Sequence, residues 1–166
     1  MEIIDLKKCK NALKYKEVLK NLIQFSEYDF SEFVDSDVKE DGKYEYDYID
    51  NYFCEEDRNV VFIKERGYYV GFAMINSHTC YLKEEGIFCV AEFFIMKKYR
   101  KKGYGKKLIN YLFGNYKGKW ELFVHNSNSI GQKFWSIVIH EYTDKFTTKK
   151  IKNEDGYEGE VFIIDL

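Results

Sequence analysis

The sequence predicts one mixed α/β (α+β) domain spanning residues 1–166, with a mainly antiparallel sheet and a central β-α-β-α stretch. Three observations point there. The 166 residues are the length of a single domain. Hydrophobic residues make up 45% and charged residues 33%, enough to build a core and too apolar for a disordered tail. Short apolar runs of strand length alternate with segments in which apolar residues recur at helical spacing.

In chain order, residues 2–6 read as a first strand. Ala12, Tyr15, Leu19, Leu22 and Ile23 recur at helical spacing, which predicts an amphipathic helix over residues 11–25. Residues 28–57 are acidic and Tyr-rich and are expected to hold a second helix, broken around Asp41-Gly42. Residues 60–64 and 69–76 read as strands joined at Glu65-Arg66-Gly67, a hairpin signal. Residues 87–96 are nearly all apolar, as expected of a strand covered on both faces. Gly103 opens a helix with Tyr104, Leu108, Tyr111 and Leu112 on one face, and residues 120–125 form the next strand. Residues 126–129 gather N-cap formers ahead of Ile130, Phe134, Ile137 and Val138 at helical spacing. Two last strands, 142–148 and 160–164, meet at a turn expected at Asp155-Gly156.

Charge and cysteine usage exclude several classes. A net charge of −2 argues against a general nucleic-acid binder. No 18-residue apolar span is present, so no membrane helix is expected. The first ten residues lack the apolar stretch of a signal peptide, and Cys9, Cys54, Cys80 and Cys89 share no C-x-x-C spacing, so reduced thiols in a cytoplasm are expected. His78, His125 and His140 make no ligand pattern, so no metal is expected. The charge is unevenly spread: between Asp29 and Asp57 twelve acidic residues face two lysines, Lys39 and Lys43, and between Lys97 and Lys107 seven of eleven residues are basic. These runs read either as solvated faces or as one end for a cation and another for an anion.

The chemistry concentrates after the 87–96 strand. The order strand, basic glycine-containing loop, helix aims several backbone N–H groups and the positive end of a helix dipole at one place. Gly103 and Gly105 allow a close approach or a positive φ, and the surrounding lysines raise the anion potential. On this physics the loop is a pyrophosphate cradle; the alternative is an ordinary turn with solvated lysines. The Walker frame G-x-x-x-x-G-K-[ST] is absent, and Leu108 stands where the dinucleotide fingerprint needs its third glycine.

What the segment does match is R-x-x-G-x-G after a strand. Arg100-Lys101-Lys102-Gly103-Tyr104-Gly105 resembles the acyl-CoA loop of the GNAT superfamily of N-acetyltransferases. Downstream, Asn128-Ser129-Ile130-Gly131-Gln132-Lys133-Phe134-Trp135 resembles that family's N-x-x-A-x-x-F/L-Y, with Gly131 for alanine and Trp135 for tyrosine. The resemblance implies a GNAT-like mixed, mainly antiparallel central sheet of about six to seven strands, about four flanking helices, and a parallel strand pair that splays to admit pantetheine. It implies acetyl-CoA as co-substrate, with backbone groups of Phe93, Phe94 and Ile95 on the pantetheine, Arg100, Lys101, Lys102, Gly103, Tyr104, Gly105 and Lys106 around the pyrophosphate, and Asn128 bonding the pantetheine. For Asn128 helix capping is the alternative. The Ile95 N–H is the implied oxyanion donor.

Glu92 is the lone charge in residues 87–96. Desolvation there should raise its pKa, as a general base or anchor for an amine requires; the alternative is a lysine partner or a capped bulge. The stretch Glu92-Phe93-Phe94-Ile95-Met96 also resembles that of diamine acetyltransferases. Trp135 stands where many members of that family carry a tyrosine that protonates the leaving thiolate, and its indole N–H does not release its proton; either another tyrosine serves, with Tyr104 and Tyr142 nearby in sequence, or the thiolate leaves with solvent help. The expected reaction is direct transfer of acetyl from acetyl-CoA to a primary amine, cationic and small or borne by a protein or peptide, received by residues 28–57 through charge and ring faces. The rival readings are a non-catalytic acyl-CoA-binding module and a binder of anionic partners. A homodimer is an open option.

Overall fold

A computed structural model describes residues 1–154 and 156–166. Among them the chain forms seven strands and three α-helices: β1 (Glu2–Asp5), α1 (Lys16–Phe30), β2 (Asn59–Glu65), β3 (Tyr68–Asn76), β4 (Phe88–Ile95), α2 (Tyr104–Asn115), β5 (Lys119–His125), α3 (Ser129–Tyr142), β6 (Phe146–Lys152) and β7 (Glu158–Asp165). The sheet order is β1-β2-β3-β4-β5-β7-β6, mainly antiparallel, with β4 and β5 the parallel pair. The mixed α/β class read from the sequence is the fold adopted. The parallel ladder joins Phe88, Cys89 and Val90 to Trp120, Glu121 and Leu122, after which β4 continues to Ile95 and β5 to His125.

The chain gathers into two compact units, the first made of Met1–Met74 and Glu92–Tyr104. Here β1 pairs antiparallel with β2, Ile4 opposite Phe62. β2 and β3 are joined by Arg66 (φ 50°) and Gly67 (φ 82°), a left-handed two-residue turn whose twist matches the flanking strands. α1 buries Leu19, Leu22 and Ile23, spaced i, i+3, i+4, in a core with Phe62, Phe72 and Phe94. Each such side chain contributes about 1.5–3 kcal/mol on burial. The helix starts at Lys16, later than the expected residue 11, because Ala12–Tyr15 forms a 3-10 turn and the Asn11 side chain makes no cap. It then runs five residues past the expected end.

Residues 31–49 do not form the expected second helix. They carry no apolar stripe at helical spacing, and their Asp, Ser and Gly residues favour turns. The break expected at Asp41-Gly42 is a tight turn: Gly42 (φ 75°) donates to the Lys39 carbonyl at 2.8 Å, and Lys39 N–H donates to the Lys43 carbonyl at 2.8 Å. A 3-10 turn at Asp50–Phe53 follows.

The second unit comprises Ile75–Ala91 and Gly105–Leu166. α2 buries Leu108, Ile109, Leu112 and Phe113, and Phe113 meets the fully buried Trp120 edge-on at 5.2 Å. α3 buries Trp135, Val138 and Ile139, whereas Ile130 and Ile137 of the expected apolar face stand 78% and 59% exposed. The helix is so apolar from Phe134 to Ile139 that periodicity alone supports two faces, and the wider Trp135 side takes the core. Because α3 runs to Tyr142, β6 begins at Phe146, four residues late. The turn between β6 and β7 includes Gly156 (φ 88°); Asp155 lies outside the described residues.

Glu121 of β5 is fully buried in this unit. Its carboxylate accepts the backbone N–H groups of Cys80 (2.7 Å), Tyr81 (3.0 Å) and Leu82 (2.7 Å), mooring the segment that precedes β4. Among the described residues no helix is long and apolar enough to cross a membrane.

Candidate functional site

β4 was expected to be covered on both faces, yet Ala91 is exposed and Glu92 and Phe93 are partly accessible, while Phe94 and Ile95 are buried. Glu92 keeps part of its surface open, but its carboxyl is packed closely enough that burial pushes its pKa up to about 8. The Glu27 carboxylate adds to the rise, and hydrogen bonds donated by Tyr46 and Ser26 pull it partly back. Burial also raises Glu27. Tyr46 is pushed well above the ordinary phenol range, first by burial and then by the Glu92 carboxylate, so its hydroxyl stays a donor. A carboxyl that ionises near pH 8, beside a second carboxyl and two hydroxyls, can take a proton from an alkylammonium and hold the cation beforehand.

Sequence reasoning singled out Glu92 in this cluster and counted Tyr46 only among the acidic segment's tyrosines. Ser26 and Glu27 were missed. Their signal was the α1 spacing itself, since Ser26 lies one turn after the buried Leu22 and Ile23 and Glu27 follows at the edge of that face.

Past Glu92 the strand is set by its neighbour. Met96 N–H donates to the Val70 carbonyl of β3 at 2.8 Å. Successive N–H groups of extended backbone point to opposite edges, so the Ile95 N–H is directed to the other edge of β4. β3 comes close here because residue 71 is glycine: a Cβ on Gly71 would stand 2.2 Å from the Phe94 carbonyl oxygen.

The basic loop departs from the simple picture of anion-seeking side chains. Arg100 donates from Nε to the Ile95 carbonyl at 2.7 Å, pairs through Nη2 with Asp29 of α1, and lies over the Phe94 ring at 5.5 Å. Lys97 joins Asp29 at 3.2 Å. Arg100 is therefore a strut that fixes the end of β4. Lys101 (φ 57°) and Gly103 (φ 79°) turn the backbone left-handed into α2, and nothing lies within 4 Å of where a Gly103 Cβ would be. Lys101 and Lys102 are exposed, and Tyr104 and Gly105 open α2 with the helix's first-turn amides. This backbone and its cationic rim fit a pyrophosphate, and the Ile95 edge fits an amide-bearing arm. Lys106 is tied to Glu141 at 2.8 Å.

In the second unit Asn128 caps α3. Its side chain accepts the Gly131 N–H at 2.8 Å, and a Cβ at Gly131 would stand 2.6 Å from the Asn128 amide, which accounts for glycine at that place. Trp135 is buried against Phe134 at a ring distance of 5.3 Å. Tyr142 sits about two turns further along α3, its hydroxyl bonded by Lys117 at 3.3 Å. In the first unit Tyr104 packs edge-on against Tyr99 at 5.7 Å, and burial and Glu65 raise its pKa. The acidic segment is less bare than its composition suggests, for Glu45, Asp50 and Glu55 are each held by a lysine or arginine.

Comparison with known proteins bears on the fold and the family. A search of curated proteins gives no match. Among solved structures the fold is similar to an aminoglycoside 6′-N-acetyltransferase complexed with coenzyme A (TM-score 0.61, 13% identity, 98% of this chain and 95% of that one). It is similar also to the ribosomal-protein-S18-alanine N-acetyltransferase of Escherichia coli (TM-score 0.59, 11% identity, 99% and 96%) and to PaiA N-acetyltransferase from Thermoplasma acidophilum in complex with coenzyme A (TM-score 0.58, 15% identity, 97% and 98%). At these identities the likeness is one of fold. The acetyltransferase (GNAT) family model matches residues 22–137, well over half the sequence, and the chain belongs to that family.

Proposed function

We propose that the protein is an N-acetyltransferase that moves acetyl from acetyl-CoA to a primary amine by direct attack, the acceptor being a cationic small molecule or a protein or peptide amine. The observation that carries the reading is the Glu92 carboxyl, with a pKa near 8, in a half-buried cluster with Glu27, Tyr46 and Ser26. Two carboxyls there suit a positive acceptor. Acetyl-CoA supplies the thioester when bound, and the chain supplies the rest. Glu92 takes the ammonium proton and frees the nitrogen lone pair for attack on the thioester carbonyl; as the C–N bond forms the C–S bond breaks, and the second nitrogen proton passes, directly or through solvent, to the departing coenzyme A thiolate. The Ile95 N–H, held at its edge by the Met96–Val70 bond and the Arg100 strut, donates to the carbonyl oxygen as it gains charge. The amides around Gly103, with Lys101 and Lys102, receive the pyrophosphate, and no covalent enzyme intermediate is required.

The test is thiol release from acetyl-CoA with a panel of amines across pH. An acceptor is expected whose kcat/KM falls about tenfold per pH unit below 8, with Glu92→Gln removing the activity and sparing acetyl-CoA binding. Acetyl-CoA binding with no thiol release for any amine would instead make this a non-catalytic acyl-CoA-binding module.

A further inference from the structure

The acceptor side of the site rests on a segment with no regular secondary structure. Residues 44–46 lie beside α1 outside any helix or strand, with Tyr44 and Tyr46 half-buried and Glu45 exposed between them. One side chain grips the segment from α1. The Gln24 amide accepts the Tyr44 N–H at 2.8 Å and donates to the Tyr44 carbonyl at 3.0 Å, completing both backbone groups of that residue as a neighbouring strand would. One helical turn on, Glu27 faces the Glu92 cluster. Two turns on, Ser31 Oγ accepts from the Tyr44 hydroxyl at 3.3 Å and donates to the Tyr28 carbonyl at 2.8 Å.

We propose that Gln24 is a positioning residue for the acceptor side of the site: its amide locks the Tyr44 backbone to α1 and thereby presents the Tyr46 hydroxyl to the Glu92 carboxylate. The proposal rests on Glu92 acting on the amine, and it adds the device that sets when Glu92 can do so. The Tyr46 hydroxyl stabilises the ionised carboxylate, as does Ser26, against burial and the Glu27 charge. Tyr46 in turn faces Tyr52, Glu27 and Arg58 as well as Glu92. Ser26 is buried on α1 and does not depend on the segment, whereas the Tyr46 bond requires the segment to stay in place.

The experiment follows the Glu92 carboxyl directly. In the free protein, with glutamate side-chain carbons labelled and the resonance assigned by its loss in Glu92→Gln, the carboxyl is titrated by NMR in the parent, Gln24→Met, Gln24→Ala, Tyr46→Phe and Gln24→Met/Tyr46→Phe. Gln24→Met keeps the length of the side chain and removes both hydrogen bonds. Losing a hydrogen bond to an ionised group should raise the midpoint by about one pH unit. Gln24→Met and Tyr46→Phe are each expected to show that rise, and the double variant to show no more than either. An unmoved midpoint in Gln24→Met, an unmoved midpoint in Tyr46→Phe, or additive shifts in the double variant would each overturn the proposal. Because no acyl transfer is involved, a parent that acetylates nothing while its midpoint still depends on Gln24 would defeat the proposed function and leave the clamp standing. If the function holds, the acid limb of kcat/KM for the amine should move with the midpoint while KM for acetyl-CoA stays where it was.

Discussion

Replacing Glu92 by Gln should change how stability depends on pH, in a direction fixed by the site. The fold raises this carboxyl from the ordinary 4.5 to about 8, chiefly by burial. Between those values the native state keeps a proton that the unfolded chain releases, so each pH unit across the window costs the parent about 1.4 kcal/mol. The stabilisation is fully present below pH 4.5 and gone above 8. Its span is at most about 5 kcal/mol, less to the extent that the accessible side of the carboxyl draws water. Gln has nearly the same shape and cannot ionise, so its variant should lose this slope while retaining that of Glu27. Urea unfolding of both proteins at several values between pH 5 and 9 measures it: the stability of the parent should fall relative to the variant as pH rises. Parallel curves would show that Glu92 ionises near 4.5 in the fold, and both the base and the buried cluster would have to be abandoned.

Other substitutions probe separate parts of the chain. In Gly103→Val the added Cβ meets no atom within 4 Å but the residue must hold a φ of 79°, so it should cost about 1–2 kcal/mol of stability and lower acetyl-CoA affinity by calorimetry. Gly131→Ala should push Asn128 off the end of α3 and lower stability by about 1 kcal/mol in chemical denaturation, with no further loss in Gly131→Ala/Asn128→Ala than in Asn128→Ala alone. Glu121→Ala strips the acceptor from three partly buried backbone amides and should cost about 3 kcal/mol by equilibrium unfolding, more than removing the exposed Glu84.

The physical reasons that made parts of the fold legible in the sequence also explain what stayed hidden. β4 and the loop after it could be read because its apolar run has the length of a strand, although the strand is only partly covered, and because a backbone turning left-handed favours glycine; Gly103 meets that need, though the loop places Lys101 in the same region without one. Glu92 stood out as a charge in the wrong solvent. Its neighbours did not, since Ser26 and Glu27 look like ordinary helix residues until α1 is laid against the sheet, and Gln24 carries no signal apart from the backbone it grips. Arg100 illustrates the converse. The motif was legible, but the bonds that its guanidinium makes to Asp29 and the Ile95 carbonyl were not. The exposed Ile130 and Ile137 show that a helix can be right while its buried face is wrong.

The mooring by Glu121 also orders events in time. The amides of Cys80, Tyr81 and Leu82 lie 39–41 residues before the carboxylate that receives them. On a ribosome, which extends a chain by about 5–20 residues per second, that segment emerges seconds before its acceptor exists. Until then its amides have only water, and the start of β4 cannot settle beside β5. The N-terminal portion can already bury Leu19, Ile23, Phe62 and Phe72 around β1, β2 and β3. The strand carrying the candidate base thus straddles an early and a late phase of folding, with Glu92 at the boundary.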